Sequence, residues 1–409
     1  MTELYDEVRL SALRGDLPRS ANNARDLATT AQTPCLRRRA LAVVGANPDA
    51  AAERLGAPPV HYGQSPFAIQ IGQRYERALT RDHHAGLIAG LRAQLGFPLE
   101  GVGLEDLDRD LPMPHPRVAN FEAKRLEVAR KRRERTDDVL VAILTGHPHA
   151  PAIVRHPRLE LRVTDTVRDV EPDLLVAWPG CPRPRLGEIK SYVDLRHRTD
   201  TGDLAATRQQ LGVYFLALEQ AVERLIGAGR LPSTALELLR GPWPRERGTK
   251  PRAIRALAVL RRPASMRPSI GVEDIGRDVE LVQRGLARTP STLVEILAEL
   301  PRGQESRLHD PATLAAVPVR YEPAWCLGHC PLAGACRAEA RQGNDPSCFG
   351  GTTRAVLAPA GDLATARALA RGEVAPGDPN DAGLAAFVER MRTLHERLDL
   401  ARRGRRRGS

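Results

Sequence analysis

Aromatic side chains are scarce in this chain: 3 Trp, 6 Tyr and 6 Phe among 409 residues. So few rings argue against a broad platform on which successive bases would stack. No stretch approaches the roughly 18 consecutive apolar residues that a membrane-crossing helix needs. The opening segment, MTELYDEVRLSALRGDLPRS, is charged throughout and has no apolar core of the signal-peptide kind. The expectation is a soluble cytoplasmic protein with no membrane partner. No internal repeat is visible, so nothing points to a solenoid or propeller. Lysine is rare as well: Lys124, Lys131, Lys190 and Lys250 are the only four among 61 basic residues. Arginine is the default cation here, so a lysine at a chemically special place stands out.

What is present bounds the fold. A hydrophobic fraction of 42% excludes a wholly disordered chain, and 34 Gly with 33 Pro at no fixed period exclude a fibrous one. The length suffices for a large core with a smaller appended unit. Net charge is +11, and five of those charges sit in the terminal ARRGRRRGS, leaving +6 elsewhere. That excess suits a polyanionic partner.

Residues 68–95 carry Tyr75, Leu79, Leu87, Leu91 and Leu95 at helical intervals, with His83 and His84 read as exposed or packing residues. FEAKRLEVARKRRERTDDVLVAIL predicts a long helix, whose RKRRER run (130–135) reads as a solvated face. From 159 the pattern turns to short β-rich runs: LELRV and DLLVAW, with VRDVEP between them, then LGEIKSYV. DLAATRQQLGVYFLALEQAVERLIGAG (203–229) predicts an amphipathic helix, N-capped by Asp203 and stopped at Gly227 or Gly229. IRALAVLRR predicts one more strand, and VEDIGRDVELVQRGLA another helix.

The candidate chemistry lies in the predicted hairpin, which reads Pro172-Asp173, fourteen further residues, then Glu188-Ile189-Lys190. Strand alternation puts Glu188 and Lys190 on one face, and a hairpin can bring Asp173 opposite them. Two carboxylates converging in a cleft repel each other unless a cation intervenes. Mg²⁺ takes hard oxygen ligands of this kind, and the carbonyl of Ile189 could complete the set. Lys190 would then stand beside the reacting groups, able to orient water or offset charge on phosphorus. The plainer alternative is a turn aspartate and a surface ion pair on an edge strand.

Other residues extend the pattern. Gln210 and Tyr214 follow on the next helix at a spacing of four, and Gly72-Gln-Arg-Tyr-Glu76 precedes the hairpin. With these four elements in this order, the chain resembles the RecB-like branch of the PD-(D/E)XK nuclease superfamily. It is similar to the CRISPR-associated RecB-like exonucleases and to AddB-type iron–sulfur nuclease domains. The resemblance implies an α/β restriction-endonuclease-like core: helix, mixed central sheet with a hairpin, and helix, with helical additions. It implies Mg²⁺ or Mn²⁺ held by Glu76, Asp173 and Glu188, with Lys190, Gln210 and Tyr214 completing a catalytic set. At the position of Glu76 the close relatives commonly have histidine. DNA, as single strands or ends, is the implied substrate, a helicase or similar protein a possible partner, and repair or defence against foreign DNA the setting.

Of six cysteines, Cys326, Cys330, Cys336 and Cys348 fall within 23 residues, a clustering that reads as metal ligation. The same branch holds a [4Fe–4S] cluster with one upstream cysteine and three near the C-terminus, which maps onto Cys35, Cys326, Cys330 and Cys336. A local zinc site of Cys326, Cys330, Cys336 and Cys348 is the rival reading. Cys181 reads as structural and His329 as a solvated loop residue. The implied organisation is 1–60 as a segment supplying one cluster cysteine and 61–262 as the nuclease core with a helical insertion near 97–158. Residues 263–355 form the helical and cysteine region, and 356–409 an Arg-rich helical tail.

Overall fold

A computed structural model of the chain describes residues 7–20, 24–33, 35–56, 66–96, 103–115, 117–163, 166–178, 181–194, 201–240, 254–262, 265–288, 294–298, 307–322, 326–327, 330–344, 346–373 and 381–406. The chain divides into two compact units. One comprises Met1–Leu10, Ala21–Thr33 and Gln64–Ser291, the other Ser11–Ser20, Pro34–Gly63 and Thr292–Ser409.

In chain order the helices up to residue 287 are α1 (Glu7–Arg14), α2 (Ala24–Gln32), α3 (Leu36–Val43), α4 (Pro48–Arg54), α5 (Pro66–Leu95), α6 (Leu107–Asp110), α7 (Phe121–Leu144), α8 (Thr201–Gly227), α9 (Ala235–Arg240) and α10 (Gly276–Ala287). The strands are β1 (Leu104–Asp106), β2 (Ile153–Arg155), β3 (Leu159–Val163), β4 (Thr166–Val170), β5 (Leu174–Trp178), β6 (Cys181–Val193), β7 (Arg255–Arg261) and β8 (Pro268–Asp274).

The first unit is α/β, built on a mixed six-stranded sheet in the order β1-β2-β5-β6-β7-β8. β5 and β6 pair antiparallel, while β6 and β7 run parallel. Apolar residues fill both faces of the central strands, as a sheet covered by helices on both sides requires. Leu174 and Val176 face α5, packing with Tyr75, Leu79, Leu87 and Leu91. Their neighbours Leu175 and Ala177 belong to the opposite cluster with Leu211, Tyr214 and Leu218 of α8 and Leu140 of α7. Alternation with period two thus builds a helix–sheet–helix sandwich. At Gly187 the strands are so close that a β-carbon would lie 3.1 Å from Leu174 Cβ and 3.4 Å from Leu257 Cβ.

Helix α7 occupies the predicted segment. α8 also forms, ending where Gly229 takes φ +70° while Gly229 and Arg230 donate to Ile226 and Leu225 carbonyls. Several expectations are corrected. Asp203 lies in the first turn of α8 rather than capping it. VRDV, expected as a linker, is β4, pairing with β3 in a separate ribbon. VED closes β8 instead of opening a helix, because β7 offers it a full antiparallel partner. The supposed helical insertion near 97–158 also contributes β1 and β2 to the sheet. α5 is broken: Asp82, His83 and His84 have φ of 51°, 54° and 66°. His84 is buried, while His83 is exposed.

The RKRRER run is only partly a solvated face: Arg130, Lys131, Glu134 and Arg135 are exposed, whereas Arg132 and Arg133 turn inward. Arg132 is 1% exposed, donating to Asp108, Glu171 and the Leu111 carbonyl. Arg133 pairs with Glu160 and Asp169, and Arg135 with Glu105. The carboxylates come from β1, α6, β3, β4 and the turn after β4, which nothing in the sequence of α7 places beside it.

The second unit contains α3, α4 and the helices Pro311–Ala316, Ala333–Gly343, Gly351–Leu357, Leu363–Arg371 and Ala382–Arg406. Its packing includes a small apolar cluster of Ala360, Ala366, Leu369, Leu384 and Phe387. The buried Arg37 ties α3 to the later helices through Glu339 at 2.8 Å and the Ala315 and Val317 carbonyls. The arginine side chains of the last turn, Cys181's side chain and His329 lie outside the described residues. No described helix is long and apolar enough to cross a membrane.

Candidate active site

The hairpin register sets the site. Leu174 pairs with Gly187, so Asp173, one residue ahead of β5, comes level with Glu188 on β6. The Ile189 N–H donates to Asp173 Oδ2 at 2.7 Å, fixing that carboxyl against the strand. Glu188 is 2% exposed. Its Oε1 accepts from Lys190 Nζ at 2.5 Å and from Gln210 Nε2 at 2.7 Å. Gln210 Nε2 also donates to the Tyr214 hydroxyl at 2.8 Å, so the two α8 residues act together. The Tyr192 hydroxyl on β6 bonds Thr207 Oγ1 at 2.7 Å, pinning α8 to the strand that carries Glu188.

Burial dominates the electrostatics. It pushes the Glu188 carboxyl up to about 8, with the nearby Asp173 adding to the shift and Lys190 opposing it. Burial raises Asp173 as well, against the pull of Lys190 and the Ile189 N–H. For Lys190 burial works against the charge, yet Glu188 and Asp173 hold its pKa above the usual lysine value. Tyr214 is pushed well above the ordinary phenol, by burial first and by Glu188 next.

Glu76 is placed differently from the other five predicted residues. It sits on α5, half exposed, with Oε1 accepting from Arg155 Nη2 at 2.7 Å. Its charge is felt at Asp173, so it shares the neighbourhood, but no hydrogen bond links it to Asp173, Glu188 or Lys190. Around it are residues that the sequence patterns did not single out. His156, at φ +51°, has Nε2 3.7 Å from Glu76 and Nδ1 3.4 Å from Glu171. Its backbone N–H donates to the Asp173 carbonyl. Burial opposes its charge, but Glu171 and Asp173 keep its pKa above the usual histidine value. Arg155 Nη1 lies 3.3 Å from His84 Nε2, which is itself 3.3 Å from Asp106. A cavity of about 890 Å³ opens here, lined among others by Glu76, Arg77, His84, Asp106, Arg155 and His156. The one signal in the sequence is the apolar Ile153-Val154 pair running directly into Arg155-His156, a short strand ending in two cations.

Asp173 and Glu188 fit a hard divalent cation. Glu188 Oε2 is buried with no hydrogen-bond partner, an orphaned acceptor that a cation satisfies more readily than a neutral group. Among the described residues, no three His, Cys, Asp or Glu side chains already stand in a liganding arrangement.

The cysteine residues form a second candidate site. Cys35, Cys326, Cys330 and Cys336 are each 4–5% exposed, whereas Cys348 is half-buried. The four buried thiols influence one another: Cys35 and Cys330 raise Cys326, and Cys35 raises Cys330 and Cys336. Burial is the main cause, taking Cys326 to about 12 and Cys330 to about 11. All four lie in the second unit, so a shared ligand would staple that unit and not the sheet. Cys35 precedes α3, and Cys336 accepts from Arg37 of α3 at 3.7 Å. Four buried thiols in one unit, deprotonated when a metal binds, suit an iron–sulfur cluster or zinc.

No family model, no curated protein and no solved structure matches this chain.

Proposed function

We propose that the first unit is a metal-dependent DNA nuclease with a restriction-endonuclease-like core, acting on DNA ends or single strands as an exonuclease. The observation that carries the reading is the buried Asp173–Glu188–Lys190 cluster with its unpartnered Glu188 Oε2. Two acids this close, beside one lysine in a lysine-poor chain, are costly to bury unless a ligand needs them.

Bound by Asp173, Glu188 and the Ile189 carbonyl, Mg²⁺ or Mn²⁺ would supply Lewis-acid polarisation of a phosphodiester oxygen. Lys190 holds Glu188 in place and offsets the negative charge that builds on the phosphoryl oxygens. Gln210 orients Glu188 from α8, and the buried Tyr214 hydroxyl anchors Gln210. Hydrolysis adds water across a P–O bond: the water oxygen joins phosphorus, and the sugar oxygen leaves with a proton. The four buried cysteines would carry a [4Fe–4S] cluster of structural role, the half-buried Cys348 staying outside it; zinc is the alternative metal. A helicase is the natural partner for such an enzyme, in repair or in defence against foreign DNA.

One observation favours a second reading. The Arg155–Glu76 ion pair withdraws the third acid, as in a fold kept to grip DNA ends without cutting them. Digestion of labelled single- and double-stranded DNA with Mg²⁺ or Mn²⁺ separates the two. Metal-dependent cutting by the wild type, lost in Lys190→Ala, supports the nuclease. Tight DNA binding without cutting by either protein supports the grip.

A further inference from the structure

The second unit contains a cavity that neither candidate site uses. It measures about 450 Å³, within the range of roughly 300 to 1,000 Å³ typical of small-ligand pockets. Its floor is aromatic: the Tyr321 and Phe349 rings lie 5.6 Å apart at 60°. That floor is fixed by backbone, since the Tyr321 N–H donates to the Cys348 carbonyl and the Gly350 N–H to the Tyr321 carbonyl. Leu327, 50% exposed, adds an apolar edge.

The rim is cationic. Arg337 and Arg341, four apart on helix Ala333–Gly343, share one face, and Arg367 comes from helix Leu363–Arg371. All three are exposed. Among the described residues no acidic side chain lines the cavity. In the first unit, by contrast, Arg132, Arg133 and Arg135 are all matched to carboxylates. Asn344, at φ +51°, joins the two helices: its Oδ1 accepts from the Ala364 N–H at 2.7 Å and its amide donates to Asp362. The walls are therefore held at a set spacing.

An apolar, ring-floored slot edged by three guanidinium groups complements a flat heterocycle attached to phosphate. We propose that this cavity receives one unstacked nucleotide of a single-stranded nucleic acid. The base lies against Phe349 and Leu327, and the flanking phosphates lie on Arg337, Arg341 and Arg367. A duplex cannot enter in this way, because its bases are already stacked and paired. The scarcity of aromatics agrees with a slot for one base and not a platform for many. The site lies wholly in the second unit and needs no divalent cation, so it stands or falls apart from strand cleavage.

The test is fluorescence anisotropy of a labelled oligothymidylate with the full-length protein, without added divalent cation. The joint variant Arg337→Ala, Arg341→Ala, Arg367→Ala should weaken binding at least about tenfold. It should also lower the slope of log affinity against log salt by about 2, near 0.7 for each phosphate no longer neutralised. Phe349→Ala should weaken binding by about tenfold with the slope unchanged. Unchanged affinity in both variants overturns the proposal, as does equal affinity for free thymidine monophosphate, which would make the ligand a small molecule. Should Phe349→Ala fail to fold, photocrosslinking of wild type to an iodouracil-containing strand decides. A crosslink to Tyr321 or Phe349 supports the slot, and crosslinks confined to other residues overturn it.

Discussion

The two candidate metal sites of this molecule are assembled by opposite routes. Asp173, Glu188 and Lys190 lie on one hairpin, and strand register alone brings them level. Cys35 and Cys326 stand 291 positions apart, separated by most of the chain that forms the other unit. The first cluster sits in a covered six-stranded sheet whose hydrogen bonds hold it whether or not a cation binds. The second joins distant chain segments in a unit with a smaller apolar cluster. Closing so long a loop removes much more unfolded-state entropy than closing a hairpin does. A ligand at the carboxylates should therefore matter to chemistry, and a ligand at the thiols to folding.

The largest expected effect tests the chemical half of that contrast. Glu188→Gln should lower Mg²⁺-dependent DNA cleavage at least about a thousandfold, with a melting temperature no lower than that of the wild type. A large drop in melting temperature instead would erase the contrast. Cys35→Ser should do the reverse, losing most bound iron or zinc and destabilising the second unit by several kcal/mol in order of magnitude. Limited proteolysis should then cut the second unit first, while cleavage per folded molecule persists.

A third expectation concerns pH. Glu188, raised by burial to about 8, must lose its proton to bind a cation. Mn²⁺ affinity should fall by about tenfold for each pH unit below about 8, as titration calorimetry would show. The sign for stability follows: a carboxyl whose folded pKa is raised favours folding when protonated. The metal-free protein should therefore lose stability as pH rises from the usual carboxyl range through about 8. Glu188→Gln should flatten that trend. The smallest effect belongs to Gln210→Ala, about tenfold on cleavage, since Lys190 still holds Glu188 Oε1.

Much of this was legible in the sequence because it is local. The hairpin, α7 and α8 announce themselves through periodicity, and the Glu188–Lys190 pairing follows from alternation within one strand. Where recognition depended on partners distant in the chain, the sequence was silent. β8 reads as the start of a helix until β7 is there to pair with it. The arginines of α7 read as solvated until β3, β4 and α6 bring carboxylates to them. Glu76 lies near Asp173 as expected, but Arg155 from β2 claims its carboxylate, and no pattern in residues 72–76 could disclose that.

Gly187 limits how far this protein tolerates change. With Leu174 Cβ 3.1 Å from where a methyl would stand and Leu257 Cβ at 3.4 Å, Leu174 would have to shift by a few tenths of an ångström to admit one. The residue that follows is Glu188, and Asp173 precedes Leu174. An alanine at 187 would press on Leu174, the residue that follows Asp173, in the strand pair that sets the two acids level. The spacing of the carboxylate pair thus depends on a residue that carries no side chain at all.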